Sequence, residues 1–441
     1  MSLKTGLRAE IAPMVRLALP LVFAEIGWMA MGIEDTMFVG RVSAEAMGAV
    51  GLGTMMFYGI GIFASGLLLG LDTLVSQSFG AGDLDDCRHS LVSGVWLSLF
   101  LIPLVMGLIW LLIPLLAAWN IDPGVMRVTQ PYLRVLNYSA PLLLLFFGFR
   151  RYLQAINVAR PIMIVLLTAN LVNIFCNWVF VFGNLGFKSM GAEGSAWATF
   201  ISRVYMAVAL GVIIRVNDPG LPHVTWKPDL TRVQELLRLG MPAAGQMGLE
   251  TGVFAAVTVL IGKLGATALA GHQIALQTVS MTYMMPLGIS SAAAVRVGHA
   301  IGRRDHEGMA RAGWTALGLG GFVMSCAAVM LLVFAYWIAR LFTPEPEVIA
   351  AGMTLLRIAA FFQLFDGLQV VATGALRGAG DTRTPMLCHF TGYWVIGLPL
   401  GSLLCFRFAM GAPGLWIGLS VGLVVIGVVL VEVWRRRLRE P

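Results

Sequence analysis

Long apolar stretches alternate with short polar ones along this whole chain. They mark twelve spans, at residues 12–40, 46–79, 90–118, 130–154, 161–183, 191–214, 234–261, 266–300, 312–342, 349–376, 385–407 and 412–434. Inside a bilayer only helices and closed barrels satisfy every backbone N–H and C=O, and runs this long predict helices. Several exceed the roughly 20 residues needed to cross, so tilt or extension beyond the lipid is expected. Prolines within the spans (Pro20, Pro103, Pro141, Pro242, Pro286 and Pro399) are ordinary in membrane helices and permit bends.

The pattern repeats. Arg16-Leu17-Ala18-Leu19-Pro20 aligns with Arg238-Leu239-Gly240-Met241-Pro242, and at the same offset Thr36 meets Thr258, Gly40 meets Gly262 and Asp83 meets Asp305. Six spans return the chain to its starting side, so the two halves have parallel topology. The expected fold is an all-α polytopic membrane protein, with twelve transmembrane helices in two parallel six-helix repeats facing a central cleft. The boundaries predicted are an N-lobe at 1–216, a polar, proline-rich cytoplasmic linker at 217–232 and a C-lobe at 233–441.

Lysine and arginine concentrate at the N-terminus (Lys4, Arg8, Arg16), in the linker and in the tail, which puts both termini in the cytoplasm. The net charge of +7 therefore reflects orientation and gives no reason to expect nucleic acid. With 58% hydrophobic and 12% charged residues and a mean hydropathy of +0.83, the chain is too apolar for a soluble globular protein of 441 residues. The five cysteines form no CxxC pair, and no GxxxxGK[ST] or HExxH occurs, so neither ATP hydrolysis by a phosphate loop nor metalloenzyme chemistry is expected. No enzymatic activity or cofactor is expected, and the energy for any pumping must come from an ion gradient or from partners.

Six carboxylates lie inside spans: Glu25, Glu34, Asp35, Asp72, Glu250 and Asp366. Intramembrane acids are costly and mark ion paths or polar cavities. At ~1.5 Å per residue, Glu250 lies roughly 18 Å from Arg238 and Asp366 roughly 16 Å from Arg377, both inner ends. Two acids on different helices thus share a depth near the midplane, as a cation or proton site requires. Gln273 on span 8 offers a neutral oxygen to an alkali cation, so Na⁺ at Glu250, Gln273 and Asp366 is one candidate and H⁺ the other. Asp35, roughly 28 Å from Arg16 and in the outer half, is with Glu34 a secondary N-lobe candidate for ion or substrate. Glu25 and Asp72 stay open between a polar path and helix packing by hydrogen bonding, and a lone His272 is more often a hydrogen-bonded packing residue than a proton relay.

The stretches LALP…DTMFVGRVS (17–43), LDTLVSQSFGAGD (71–83), GHQIALQTVSMTYMMPLGISSAAAVRVGHAIG (271–302) and LQVVATGALRGAGDTRTP (368–385) resemble the multidrug and toxic compound extrusion (MATE) family, nearest its NorM-type branch. The resemblance implies a monomeric secondary antiporter of the bacterial inner membrane. It would export organic, often cationic compounds in exchange for Na⁺ or H⁺ by rocker-type alternating access. It also implies coupling carboxylates at Glu250 and Asp366 with Gln273 nearby, and an N-lobe acid at Asp35. One departure stands out: where a related branch carries NxxxD on span 5, this chain has Asn173 and Asn177, which disfavours a two-acid N-lobe switch. The alternative is a lipid-linked precursor flippase of the same superfamily, which would need a cationic cleft. A major-facilitator transporter would carry GxxxDxxGRR in the 2–3 loop, where this chain has GAGDLDDCRH.

Overall fold

A computed structural model describes residues 3–116, 123–218, 220 and 225–439. Residues 219 and 221–224 of the expected linker lie outside them. The described residues are almost entirely helical, with no strand among them. In order the helices are α1 (Leu3–Gly40), α2 (Ala44–Leu67), α3 (Gly70–Ala81), α4 (Leu84–Leu116), α5 (Pro123–Tyr138), α6 (Ala140–Ala155), α7 (Ala159–Phe180) and α8 (Ala192–Asn217). The second half continues with α9 (Leu230–Gly262), α10 (Ala266–Gly302), α11 (His306–Phe342), α12 (Pro346–Gly378), α13 (Arg383–His389), α14 (Leu398–Ser402) and α15 (Ala412–Arg437).

These helices carry the twelve expected spans. Ten spans are long and apolar enough to cross a membrane, and α5 with α6, bent by 46°, makes an eleventh. The twelfth is α10, 37 residues long and more polar in its first half, with Thr267, His272, Gln273, Gln277 and Thr278. The second span is interrupted at Leu68 and Leu69, between α2 and α3, and the eleventh contains two π-helical segments, Phe390–Gly397 and Leu403–Arg407. Neither interruption is visible in the hydropathy pattern.

Packing divides the chain into two compact units, Phe23–Ala244 and Met1–Val22 with Gly245–Pro441. The division runs inside α1 and α9. In each helix it falls two residues past a buried proline, Pro20 or Pro242, the pair that the internal repeat aligns. Proline removes one backbone hydrogen bond and crowds the preceding turn, so these are the points where a long helix can change partners.

In the first unit a continuous apolar core includes Phe57, Leu71, Leu133, Phe146, Leu153 and Leu210, joined by Leu236 and Ala244 of α9. At its charged end, Arg88 of α4 grips Asp218, just past α8, with Nε 2.9 Å from Oδ1 and Nη2 2.8 Å from the same oxygen. Tyr152 donates to Oδ2 at 3.1 Å. Arg232 at the start of α9 pairs with Asp86, and the Trp96 indole donates to the Trp226 carbonyl at 3.2 Å. Both ends of the 217–232 stretch are therefore tied to α4.

Burial alone would raise the Asp218 pKa, but the hydrogen bonds from Arg88 and Tyr152 prevail and hold it below the usual carboxylate range. Its contribution to stability is thus present above the unfolded value of about 4 and is lost as pH falls through the lower folded value. Thermal unfolding of purified wild type and Asp218→Asn is expected to differ at pH 7 and to converge below about pH 4. A gap unchanged down to pH 3 would rule out the charged interaction as its source.

The second unit is dominated by the packing of α10 against α12. A Cβ placed on Gly374 would lie 2.2 Å from the Ser290 carbonyl oxygen, and one on Gly378 2.3 Å from that of Ala294. Small residues let helix backbones approach this closely where lipid supplies no hydrophobic drive between helices. That is the physical content of the motifs ISSAAAVRVGHA and VVATGALRG.

Candidate functional site: buried acids

The buried acids divide by the company they keep. In the first unit, Glu25 of α1 pairs with Arg150, a residue only 2% exposed, and Asp72 of α3 with Arg151 at 3.4 Å. Both arginines belong to α6 and not to the loop after it, where the hydropathy boundary puts Arg151 close to the polar end. Asp72 is fully buried, and its contact with Arg151 ties α3 to α6. Removing one member of such a pair strands the other charge, at a cost of about 3–5 kcal/mol.

Asp35, 6% exposed, is held by neutral groups instead. The Asn177 amide donates to Oδ1 and the Thr199 hydroxyl to Oδ2, each at 2.7 Å, and Asn177 also donates to Asn173 at 2.9 Å. The two asparagines that depart from NxxxD thus lie directly on the N-lobe acid, one turn apart on α7. Asn173 and Ser195 also stand within hydrogen-bonding reach of Asp35, so four neutral side chains surround the acid, and Asn177 Oδ1 is buried without a hydrogen bond. Glu34, half-buried beside Asp35, has one buried oxygen without a partner. Thr199 of α8 carries no signal in the sequence, because a threonine in an apolar helix has no distinguishing pattern.

The second unit brings Glu250 and Asp366 together. Glu250, half-buried, is on α9 and Asp366, 4% exposed, on α12, within electrostatic range of each other. Tyr283 of α10 hydrogen-bonds Glu250. Gln369, one turn along α12, donates to Asp366 Oδ1 at 3.2 Å, and Gln363 donates to Thr282 of α10 at 2.7 Å. The side-chain oxygens of Gln363 and Gln369 are buried and receive no hydrogen bond. A pair of carboxylates among neutral oxygens is a donor set suited to a hard cation. Neither acid has an ion pair with a basic side chain among the described residues. Gln273 is exposed on α10, ten residues and so roughly 15 Å of helix rise from Tyr283, the α10 residue that reaches Glu250.

His272 is explained by packing. It is fully buried; the Trp416 indole donates to Nδ1 at 3.1 Å, so Nε2 carries the proton and faces the Thr258 hydroxyl at 2.8 Å. Thr258 in turn donates to the Phe254 carbonyl at 2.8 Å. Every polar atom of the imidazole is used. The positions that the repeat aligns with the acids are apolar: Trp28, aligned with Glu250, stacks on Phe146 at 5.8 Å, and Val257, aligned with Asp35, is fully buried.

Long apolar helices packed into two compact units define a polytopic helical membrane protein. The sequence profile of the MatE family matches residues 20–179 and 242–403. The chain belongs to that family. It is 35% identical to a protein named probable multidrug resistance protein NorM from Mesorhizobium japonicum, covering 98% of this chain and 95% of that one. It is 34% identical to multidrug resistance protein MdtK of Yersinia pseudotuberculosis, over 98% and 96% of the two chains. Its fold matches the crystal structure of the eukaryotic MATE transporter AtDTX14 with a TM-score of 0.90 at 22% identity, over 99% and 98% of the chains.

Proposed function

We propose that this protein exports organic, often cationic compounds across the bacterial inner membrane, in exchange for Na⁺ or H⁺ taken up at Glu250 and Asp366. One observation carries the reading: the buried acids Glu25 and Asp72 each have an arginine, whereas Glu250 and Asp366 have only neutral partners and each other. Two like charges in a low-dielectric interior need a cation or a proton, and a site built that way exchanges one. The names of the NorM and MdtK relatives support multidrug compounds as the other substrate. Exchange follows if ion and drug favour different states of the transporter, since coupling is the difference between their affinities for those states.

Asp35 is the secondary site in this reading, with Asn177 and Thr199 as its neutral partners, and Glu34 lies at its edge. The termini are cytoplasmic, the working unit is one chain, and no ATP is consumed. Lipid-linked pyrophosphates, the cargo of the flippase alternative, would meet two acids at the main site and are disfavoured by charge.

The test is transport by purified protein in liposomes loaded with a fluorescent organic cation. An imposed inward Na⁺ gradient or an imposed pH gradient is expected to drive efflux, and whichever does so identifies the ion. Equal efflux with and without both gradients would overturn the proposal.

A further inference from the structure

The eleventh span changes from α13 to a π-helix at Phe390, and the π-helical segment Phe390–Gly397 lies against α9 beside Glu250. A π-turn inserts a residue into the helical register and is found disproportionately at functional positions. Here it is enforced by close packing on α15: a Cβ on Gly392 would lie 2.3 Å from Ile426, and one on Gly422 2.2 Å from the Gly392 carbonyl. The segment grips α9 at successive residues. The Trp394 indole donates to the Leu249 carbonyl at 3.0 Å, and the Tyr393 ring packs edge-on to Phe254 at 6.1 Å.

Tyr393 is fully buried, and its hydroxyl has no hydrogen-bond partner. Phe254, on which the Tyr393 ring packs, is four residues and so one turn from Glu250 on the same face of α9, and Trp394 holds the carbonyl of Leu249, the residue before Glu250, so Tyr393 stands beside Glu250. Its other polar neighbour is already engaged: His389, 5.8 Å from the Tyr393 ring, donates from Nδ1 to the Pro385 carbonyl at 2.7 Å and turns Nε2 to the Gln246 amide at 3.4 Å. A buried hydroxyl without a partner is costly and calls for a function. Glu250 and Asp366 each have a donor already, from Tyr283 and Gln369. Beside the unpaired side-chain oxygens of Gln363 and Gln369 on α12, the Tyr393 hydroxyl is the neutral oxygen that the eleventh span can offer to the pair.

We propose that the Tyr393 oxygen is the third member of the Glu250–Asp366 site and stabilises its ion-loaded state, giving a lone pair to Na⁺ or accepting the O–H of a protonated carboxyl. The hydroxyl serves either ion because its hydrogen rotates freely about the C–O bond. The inference rests on the coupling role proposed for the acid pair, and it makes the π-helical segment the element that reports ion loading to the eleventh span.

The experiment compares wild type, Tyr393→Phe and Glu250→Gln in liposomes, under the gradient that drives the wild type. Transport rate is measured against ion concentration, and binding of the fluorescent cation is measured separately at equilibrium without a gradient. Tyr393→Phe keeps the ring and its packing. It is expected to weaken the ion by about tenfold, seen as a higher half-saturating Na⁺ concentration or a lower pH midpoint, with drug affinity unchanged. Wild-type ion dependence in Tyr393→Phe, together with loss of coupling in Glu250→Gln, would overturn the role of Tyr393 alone. Equal losses of ion and drug affinity in Tyr393→Phe would also overturn it, by reducing the residue to packing. Wild-type ion dependence in Glu250→Gln would overturn the coupling reading and this inference with it.

Discussion

Glu250→Gln and Asp366→Asn, each alone, are expected to reduce gradient-driven efflux of a fluorescent organic cation to the background of cells lacking the transporter. Each substitution keeps size and hydrogen-bonding capacity and removes the charge that a cation or proton must meet. Coupling free energies of 1–3 kcal/mol correspond to about 5- to 150-fold in affinity, so the loss should lie near the upper end, roughly a hundredfold. Because the two acids act on each other, they form one site, and the double variant should be no worse than either single one. Efflux is read from cells at matched expression. Unchanged efflux in both single variants would remove the pair from the mechanism.

Gly374→Val should abolish accumulation of folded protein. The new Cβ would start 2.2 Å from the Ser290 carbonyl oxygen, a backbone atom that cannot move without displacing α10. Ser290 is also tied to α12 by its hydroxyl, which donates to the Val370 carbonyl at 2.7 Å. Overpacking a tight core typically costs about 1–3 kcal/mol, and a clash with backbone lies at or above that range. Gly318→Ala is the control: a Cβ there meets nothing within 4 Å, and alanine gains about 1 kcal/mol of helix propensity over glycine. The yield of folded protein extracted in detergent is expected to fall to background for the first and to stay at the wild-type level for the second. Wild-type yield in Gly374→Val would show that α10 and α12 do not approach as described.

Much of the second-unit site is legible in the amino-acid sequence. Glu250 and Asp366 stand out because a carboxylate in a long apolar helix is expensive, and counting residues from the basic ends puts both at the same depth. His272 is also readable as a packing residue, since a single polar group in a span is more often satisfied than functional. Tyr283, Gln369, Thr199 and Tyr393 are not legible. Tyrosine, glutamine and threonine are common in membrane helices, and only the rotation of each helix decides whether they face an acid or a lipid tail. The rotation at Tyr393 is set by a π-turn that arises from glycine contacts between the eleventh span and α15, a tertiary cause without a local signature. Arg150 is a similar case. Its position near a polar boundary reads as an orienting charge, while the structure buries it on Glu25.

The sequence by itself determined the membrane, the helices, the duplication of six spans and the cost of each buried acid, because hydropathy and charge act residue by residue. Tertiary structure decided which acids meet a basic side chain within the protein and which do not. That depends on whether an arginine from another helix can reach them: α6 supplies one to Glu25 and one to Asp72, and no helix among the described residues supplies one to Glu250 or Asp366. Tertiary structure also moved the packing border into α1 and α9, where a proline in each long helix lets its two ends pack with different partners.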